Sequence, residues 1–501
     1  MRLRSRLVFS GTAAALATVL FATTASAAGT PGAPGAGDPY YPLDGNGGYN
    51  VSHYDLHLTY QPSADRLSGS TTIKAKATKE LSRFNLDFLL KVQSVTVNYA
   101  PATFAKGAKG ELLVTPSAAL PKNSKFTVVV KYNDVPSNPA YTLNGFNSWS
   151  RTSTGALAVN EPQIAPWWYP SNNHPTDKAT FDVSVAVPAG VEALSNGVLV
   201  SKQPEGANVR WNWHSAKPQN TYCTFLVVGQ LDDLRITTAN GKPFITAYAN
   251  NLGNAAAAAK ASVRRTPGIV AFQETQFGPY PFEALGGVVV GVGELGFALE
   301  TQTTPVYDGG FFDSGPNTYV VAHEMAHQWF GDSVSVRRWT DIWLNEGFAT
   351  YAEYLWSEHL GEGTAAENAQ FVYNSIPADD PFWQVLPGNP GPANQFDGAV
   401  YDRGGMTLQA LRTAVGKPVF FNILRTWAAT KKYGDATTAQ FIALAESKSG
   451  KQLDALFTTW LYTKGKPAVG PNGRAAATAG AEPKSYQQIK QTHALLAAHG
   501  G

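Results

Sequence analysis

The stretch NTYVVAHEMAHQWFGD, running from Asn317 to Asp332, decides how this chain is read. Asn317 is a candidate helix N-cap, no Pro or Gly interrupts the run that follows, and Gly331 offers a stop. Side chains four apart on a helix share a face, so the imidazoles of His323 and His327 can reach one ion. Glu324 lies one step round, beside such an ion rather than on it, which suits a base acting on water held there. The alternative is two packed histidines on an ordinary helix, which would leave the downstream sequence unexplained.

Downstream stands WLNEGFATYAEYLW, Trp343 to Trp356, with Glu346 nineteen positions after His327. The spacing predicts a helix to Leu360 that stops at Gly361. It carries two stripes: Phe348, Tyr351, Leu355 and His359 directed to the core, and Glu346, Thr350, Glu353 and Ser357 on another side. A carboxylate near the start of this helix, packed against the first, completes a His₂Glu set with a fourth position open. Nitrogen and oxygen ligands without a thiolate favour zinc, although cobalt and manganese fit the same donors. Metal-bound histidines usually donate their second ring N–H to an acceptor. Asp332, Asp341 and Glu353 are the candidates.

Together these segments resemble the aminopeptidase N family of zinc metallopeptidases, in the gluzincin clan. The likeness extends beyond the metal motif. FNLDFLLKVQSVTVN (Phe84–Asn98) and HPTDKATFDVSVAVP (His174–Pro188) are similar to segments of that family's first domain, and FGPYPF (Phe277–Phe282) to the start of its catalytic domain. The resemblance covers about residues 48–466. It implies a multidomain α+β fold, an N-terminal all-β saddle-like domain followed by a thermolysin-like, mainly helical catalytic domain. It also implies that His323, His327 and Glu346 hold one zinc ion per chain, with Glu324 as general base.

The family's Gly-x-Met-Glu-Asn motif is matched by GFALETQ, Gly296 to Gln302, with Glu300 at the Glu. Phe297, Leu299 and Thr301 stand where the family has Gly, Met and Asn, departures that bear on the shape of the first side-chain pocket. Reading back without gaps from KATF (Lys178–Phe181) puts Glu161 of VNEPQIAPWWYP at a second acidic anchor, with Gln163 as an alternative. A Tyr-x-Lys-Gly segment is matched by AVYDRGGMTLQALRTAVG, giving Tyr401, with Arg403 in the Lys place. The resemblance implies that Glu300 and Glu161 grip the free amino terminus of a peptide, while Tyr401 stabilises the oxyanion. The plain alternatives are surface carboxylates and a core tyrosine.

Composition sets the outer limits. A chain of 501 residues suggests two or three domains. Hydrophobic residues make up 44% and the net charge is +2 without a basic run, so there is no electrostatic footprint for nucleic acid or anionic lipid. Twelve Trp and twenty-one Tyr can furnish large cores or line a groove. Trp167, Trp168 and Tyr169 suit either use. The single cysteine, Cys223 in TYCTFLVVG, excludes an internal disulfide and a Cys-ligated zinc cluster, and reads as a buried small residue.

The N-terminus reads as an export signal: Arg2, Arg4 and Arg6, a mostly apolar run from Leu7 to Phe21, then Ala25-Ser26-Ala27 before the cleavage point. The expectation is a secreted protein, cut after Ala27, without stable membrane association. Residues 28–47, rich in Gly, Pro and Ala, read as a flexible linker. Residues 48–236 read as the β domain, 237–466 as the catalytic domain, and 467–501 as an Ala/Gly/Pro-rich tail with a short helix at its end. His53 and His57 sit four apart in a strand, about 13 Å from each other, and so read as solvated or packing residues.

Three functions compete. The first is a secreted zinc aminopeptidase acting on peptides with a free N-terminus. The second is a thermolysin-like endopeptidase or related zinc hydrolase. The third is a non-catalytic secreted binding protein, which every required residue type at the presumed catalytic positions disfavours.

Overall fold

The computed structural model describes residues 29–232, 234–475 and 480–497. The expected export signal, residues 1–27, lies outside them.

Alternation builds the first domain. In strand Tyr49–Gln61 the side chains of Tyr54, Leu56, Leu58 and Tyr60 are buried while Asp55 and His57 face out. An irregularity between Val51 and His53 shifts the phase, so that Val51 also turns inward. His53 is half-buried, its Nδ1 2.8 Å from Thr180 Oγ1. This strand lies inside an eight-stranded sheet. The order is Val198–Glu205, Asn208–Gln219, Ala179–Pro188, Tyr49–Gln61, Arg66–Ala77, Lys125–Asp134, Val92–Val97 and Ala100–Pro101. Its pairs are antiparallel except Ala179–Pro188 with Tyr49–Gln61, which is parallel. Two four-stranded sheets complete the domain. Trp167, Trp168 and Tyr169 are fully buried in its core, so they are packing residues and not the wall of a groove.

The second domain opens with a five-stranded sheet in the order Arg235–Ala239, Lys242–Tyr248, Leu285–Val290, Val306–Asp308 and Ala298–Leu299. Strand Leu285–Val290 is buried throughout. Its Leu285 and Val289 join the helical core, and Val288 and Val290 join the core of the first domain. The sheet is therefore a wall shared by both halves of the molecule. Behind it stand the histidine helix Thr318–His327, the long helix Trp343–Leu360 and the tyrosine helix Gly398–Val415.

Three expectations need correction. Residues 29–47 are not a flexible linker. Thr30–Pro31 pairs in parallel with Leu81–Asp87, Asp38 Oδ2 accepts from the Trp339 amide at 2.8 Å, and the buried Tyr41 donates its hydroxyl to Gln395 Oε1 at 2.8 Å. The few polar and aromatic anchors outweigh the Gly- and Pro-rich background. The boundary at 236 is also displaced. The last strand of the first domain ends at Gly229, and Arg235–Ala239 belongs to the second sheet, a partner choice that β propensity alone does not encode. Finally, the long helix does not have only one core-facing stripe: every residue from Trp343 to Ser357 is buried, because the helix runs through the middle of the domain. No helix among the described residues is long and apolar enough to cross a membrane.

Candidate active site

The histidine helix starts where the sequence says it should. Asn317 Oδ1 accepts from the amides of Tyr319 at 3.0 Å and Val320 at 3.3 Å, satisfying donors that open the helix. The chain leaves the helix through Gly331, at φ +137°. The long helix ends at Gly361, in the left-handed region at φ +72°.

His323 and His327 present the same edge. His327 Nδ1 lies 3.0 Å from the Phe330 carbonyl, which can only accept, so Nδ1 carries the proton and Nε2 is free. His323 Nδ1 lies 2.7 Å from Glu353 Oε1, which fixes its ring in the same sense. Of the three acidic residues weighed for this part, only Glu353 takes it. Asp332 Oδ1 accepts from Cys223 Sγ at 2.9 Å, and Asp341 Oδ1 accepts from Thr438 Oγ1 at 2.6 Å. Cys223 is buried as expected, but it donates to a carboxylate instead of filling apolar space.

Glu346 Oε2 stands 3.3 Å from His323 Nε2 and 3.4 Å from His327 Nε2. Those separations are long for charge-assisted hydrogen bonds. A tetrahedron with metal–ligand bonds of about 2.05 Å has edges of about 3.3 Å, so both separations match edges around a zinc-sized ion, and the three donor atoms all lie within 4.8 Å of one another. Charge points the same way. Glu161, Glu300, Glu324 and Glu346 share one cavity with the two histidines, and none is more than 3% exposed. Burial pushes the Glu324 carboxyl up to about 8, against the pull of His323 and His327. Burial and then the charge of Glu300 raise Glu161 well above the carboxylate range. Burial raises Glu300 too, with His327 opposing and Glu346 assisting. So many carboxylates in a dry cavity call for compensating positive charge, such as a metal ion.

Each remaining predicted residue has a definite place. Glu300 follows the edge strand Ala298–Leu299, and Tyr222 donates its hydroxyl to Glu300 Oε1 at 3.0 Å. Glu161 reaches the same cavity from the first domain. Gln163 does not line it; its amide bonds Asp44 and accepts from Asn173 Nδ2 at 3.0 Å. Tyr401 lies in the first turns of the tyrosine helix, capped by Asp397, with its ring stacked 5.9 Å from that of His323. Burial, with Glu346 and Glu161 nearby, holds its hydroxyl well above the usual phenol range, so it remains a donor. Arg403 is away from the cavity, bonding the carbonyls of Trp383, Val385, Thr459 and Thr463.

The sequence reading missed Tyr222 and two residues of the C-terminal helix Tyr486–Ala497, His493 and Leu496. Leu496 lines the cavity, and His493 Nε2 meets Glu353 Oε1 at 2.8 Å. The spacing Ile489, His493, Leu496 is the inward face of an amphipathic helix, and it was legible as such.

Comparison with known proteins adds the following. The peptidase M1 N-terminal domain model matches residues 50–223, and the peptidase family M1 domain model matches residues 313–460. Aminopeptidase M1 of Arabidopsis thaliana is 25% identical over 453 residues, 83% of this chain and 50% of its own. Glutamyl aminopeptidase of Rattus norvegicus is 24% identical over 461 residues, 84% of this chain and 48% of its own. The chain thus spans about half the length of these curated relatives. The solved M1 zinc metallopeptidase of Deinococcus radiodurans superposes with a TM-score of 0.74 at 29% identity, covering 86% of this chain and 97% of that one. A mutant of it bound to a Tyr-Ser-Ala substrate gives 0.76 at 29% identity, covering 86% and 99%.

Proposed function

Because this chain belongs to the M1 family of zinc metallopeptidases, the aminopeptidase N family, we propose that it is a zinc-dependent aminopeptidase removing single residues from the N-termini of peptides. One observation carries the reading: the His323, His327 and Glu346 donor atoms share a buried cavity with Glu324, Tyr401 and two further carboxylates, Glu300 and Glu161. His323, His327 and Glu346 would hold the metal. When bound, zinc supplies Lewis-acid activation of water and of the scissile carbonyl.

The other residues divide the remaining work. Glu324 Oε1 makes no hydrogen bond among the described residues, so it is free to take the proton of the attacking water and pass it to the leaving amine. As the carbonyl carbon becomes tetrahedral, the Tyr401 hydroxyl donates to the developing oxyanion. Glu300, steadied by Tyr222, and Glu161 accept hydrogen bonds from the substrate ammonium. Fixing that charge beside the reacting carbonyl selects the first peptide bond. The export reading of the N-terminus supports a secreted enzyme, with one zinc per chain.

A panel of aminoacyl fluorogenic amides, assayed with chelator and after zinc is restored, tests metal and reaction together. Activity should vanish and return; activity indifferent to chelator would overturn the mechanism. Glu300→Ala should cripple cleavage of free-amine substrates and spare N-blocked ones. Equal loss on both would favour the thermolysin-like endopeptidase reading.

A further inference from the structure

We propose that the C-terminal helix Tyr486–Ala497 is a built-in plug of the substrate cavity, which keeps the chain latent until the helix is displaced. The inference rests on the peptidase reading above and adds regulation to the same site.

The cavity is narrow. Leu496 is part of its wall and is 4% exposed, and the donor atoms and carboxylates beside it belong to residues no more exposed than that. The volume open to a water-sized occupant is about 10 Å³, room for roughly one water molecule. A peptide bond with a residue on each side does not fit. His493, on the same face of the helix, lies over the Tyr401 ring at a centroid distance of 6.2 Å.

The helix is held by bonds that the site itself can spare. His493 Nε2 meets Glu353 Oε1 at 2.8 Å, but that oxygen already receives His323 Nδ1 at 2.7 Å. Removing His493 therefore leaves the His323 ring with its carboxylate. Asn317 Nδ2 donates to Thr492 Oγ1 at 2.9 Å, yet the capping of the histidine helix uses Asn317 Oδ1. Gln488 Nε2 reaches only the Pro316 carbonyl, at 2.6 Å. These contacts, with His493 Nδ1 3.0 Å from Asp402 Oδ1, dock the helix on a cavity whose metal-ligating atoms and carboxylates all come from other elements. The occupant is also chemically mismatched. A leucine tip makes no hydrogen bond to the surrounding carboxylates, whereas a substrate ammonium would, so a substrate gains contacts that the plug forgoes.

Two forms of the full chain test the proposal. One carries Leu496→Asp, which adds a fifth carboxylate beside Glu161, Glu300, Glu324 and Glu346. The other carries a protease recognition sequence inserted after Ala475, so the chain folds intact and is then cut. Two rates are read: zinc release to 1,10-phenanthroline, which needs no catalysis, and turnover of leucine aminomethylcoumarin. Both should rise at least tenfold in each form, and a synthetic peptide of residues 480–501 should reverse the gain in the cut chain. Unchanged zinc release in both forms overturns the plug, even where the intact chain turns over. Slower turnover after cutting, with zinc retained, overturns it as well, since the helix would then support the site. Faster zinc release without turnover of any free-amine substrate sinks the peptidase reading and leaves the plug standing.

Discussion

A hydroxyl is the smallest unit of this site that can be removed alone. Tyr401 is buried, stacked on His323, and held as a neutral donor. Tyr401→Phe keeps the ring and the packing and deletes only the hydrogen bond. Loss of an oxyanion donor typically lowers kcat about 10²–10³-fold. We expect that loss with unchanged zinc content and thermal midpoint; a variant retaining more than a third of wild-type kcat would remove Tyr401 from the chemistry. At this scale the sequence was informative where spacing constrains geometry. His323 and His327 were legible because a helix puts positions four apart on one face. Tyr222 was not, because its bond to Glu300 spans seventy-eight positions and no local pattern encodes it.

Elements meet where glycine lets them. A Cβ built on Gly404 would lie 2.9 Å from the Gly347 Cα, and one built on Gly347 would lie 2.9 Å from Gly404 Cα. The long helix and the tyrosine helix therefore cross backbone to backbone, one residue from Glu346 and three from Tyr401. Gly404→Ala gains about 1 kcal/mol in helix propensity, but the overlap costs about 1–3 kcal/mol and moves one helix against the other. The expected result is a lower thermal midpoint and lower turnover together. Gly398→Ala, where the added methyl meets nothing within 4 Å, is the control and should leave turnover unchanged without lowering the midpoint. A Gly404→Ala enzyme as stable and active as the control would show that the crossing has slack. Helix ends were readable from Asn317 and Gly361, since capping is local. The all-round burial of the long helix was not, because polar residues such as Glu346, Thr350 and Glu353 read as a solvated side until their partners are known.

Across the whole molecule, the N-terminal strap joins what the domain order alone leaves separate. Tyr41 packs edge-on to Phe146 of the first domain and Trp339 of the second, with centroids 6.5 Å and 6.4 Å away. Truncating a buried aromatic to alanine costs about 3–5 kcal/mol. Tyr41→Ala should lose an amount in that range in denaturant unfolding; a loss below about 1 kcal/mol would reduce the strap to surface covering. The two-domain order was legible in the sequence, through the change from strand alternation to helical spacing. The strap was not, because its anchors are single residues scattered through Gly- and Pro-rich sequence.

Glu161 and Glu300 reach one cavity from different halves of the chain, across a wall that both halves share. On their proposed roles, neither half can recognise a peptide's end by itself. Recognition is then a test of assembly: a chain still emerging, or one whose halves have come apart, holds at most one side of the grip. Such a chain cannot trim the peptides around it, because both halves must first have joined.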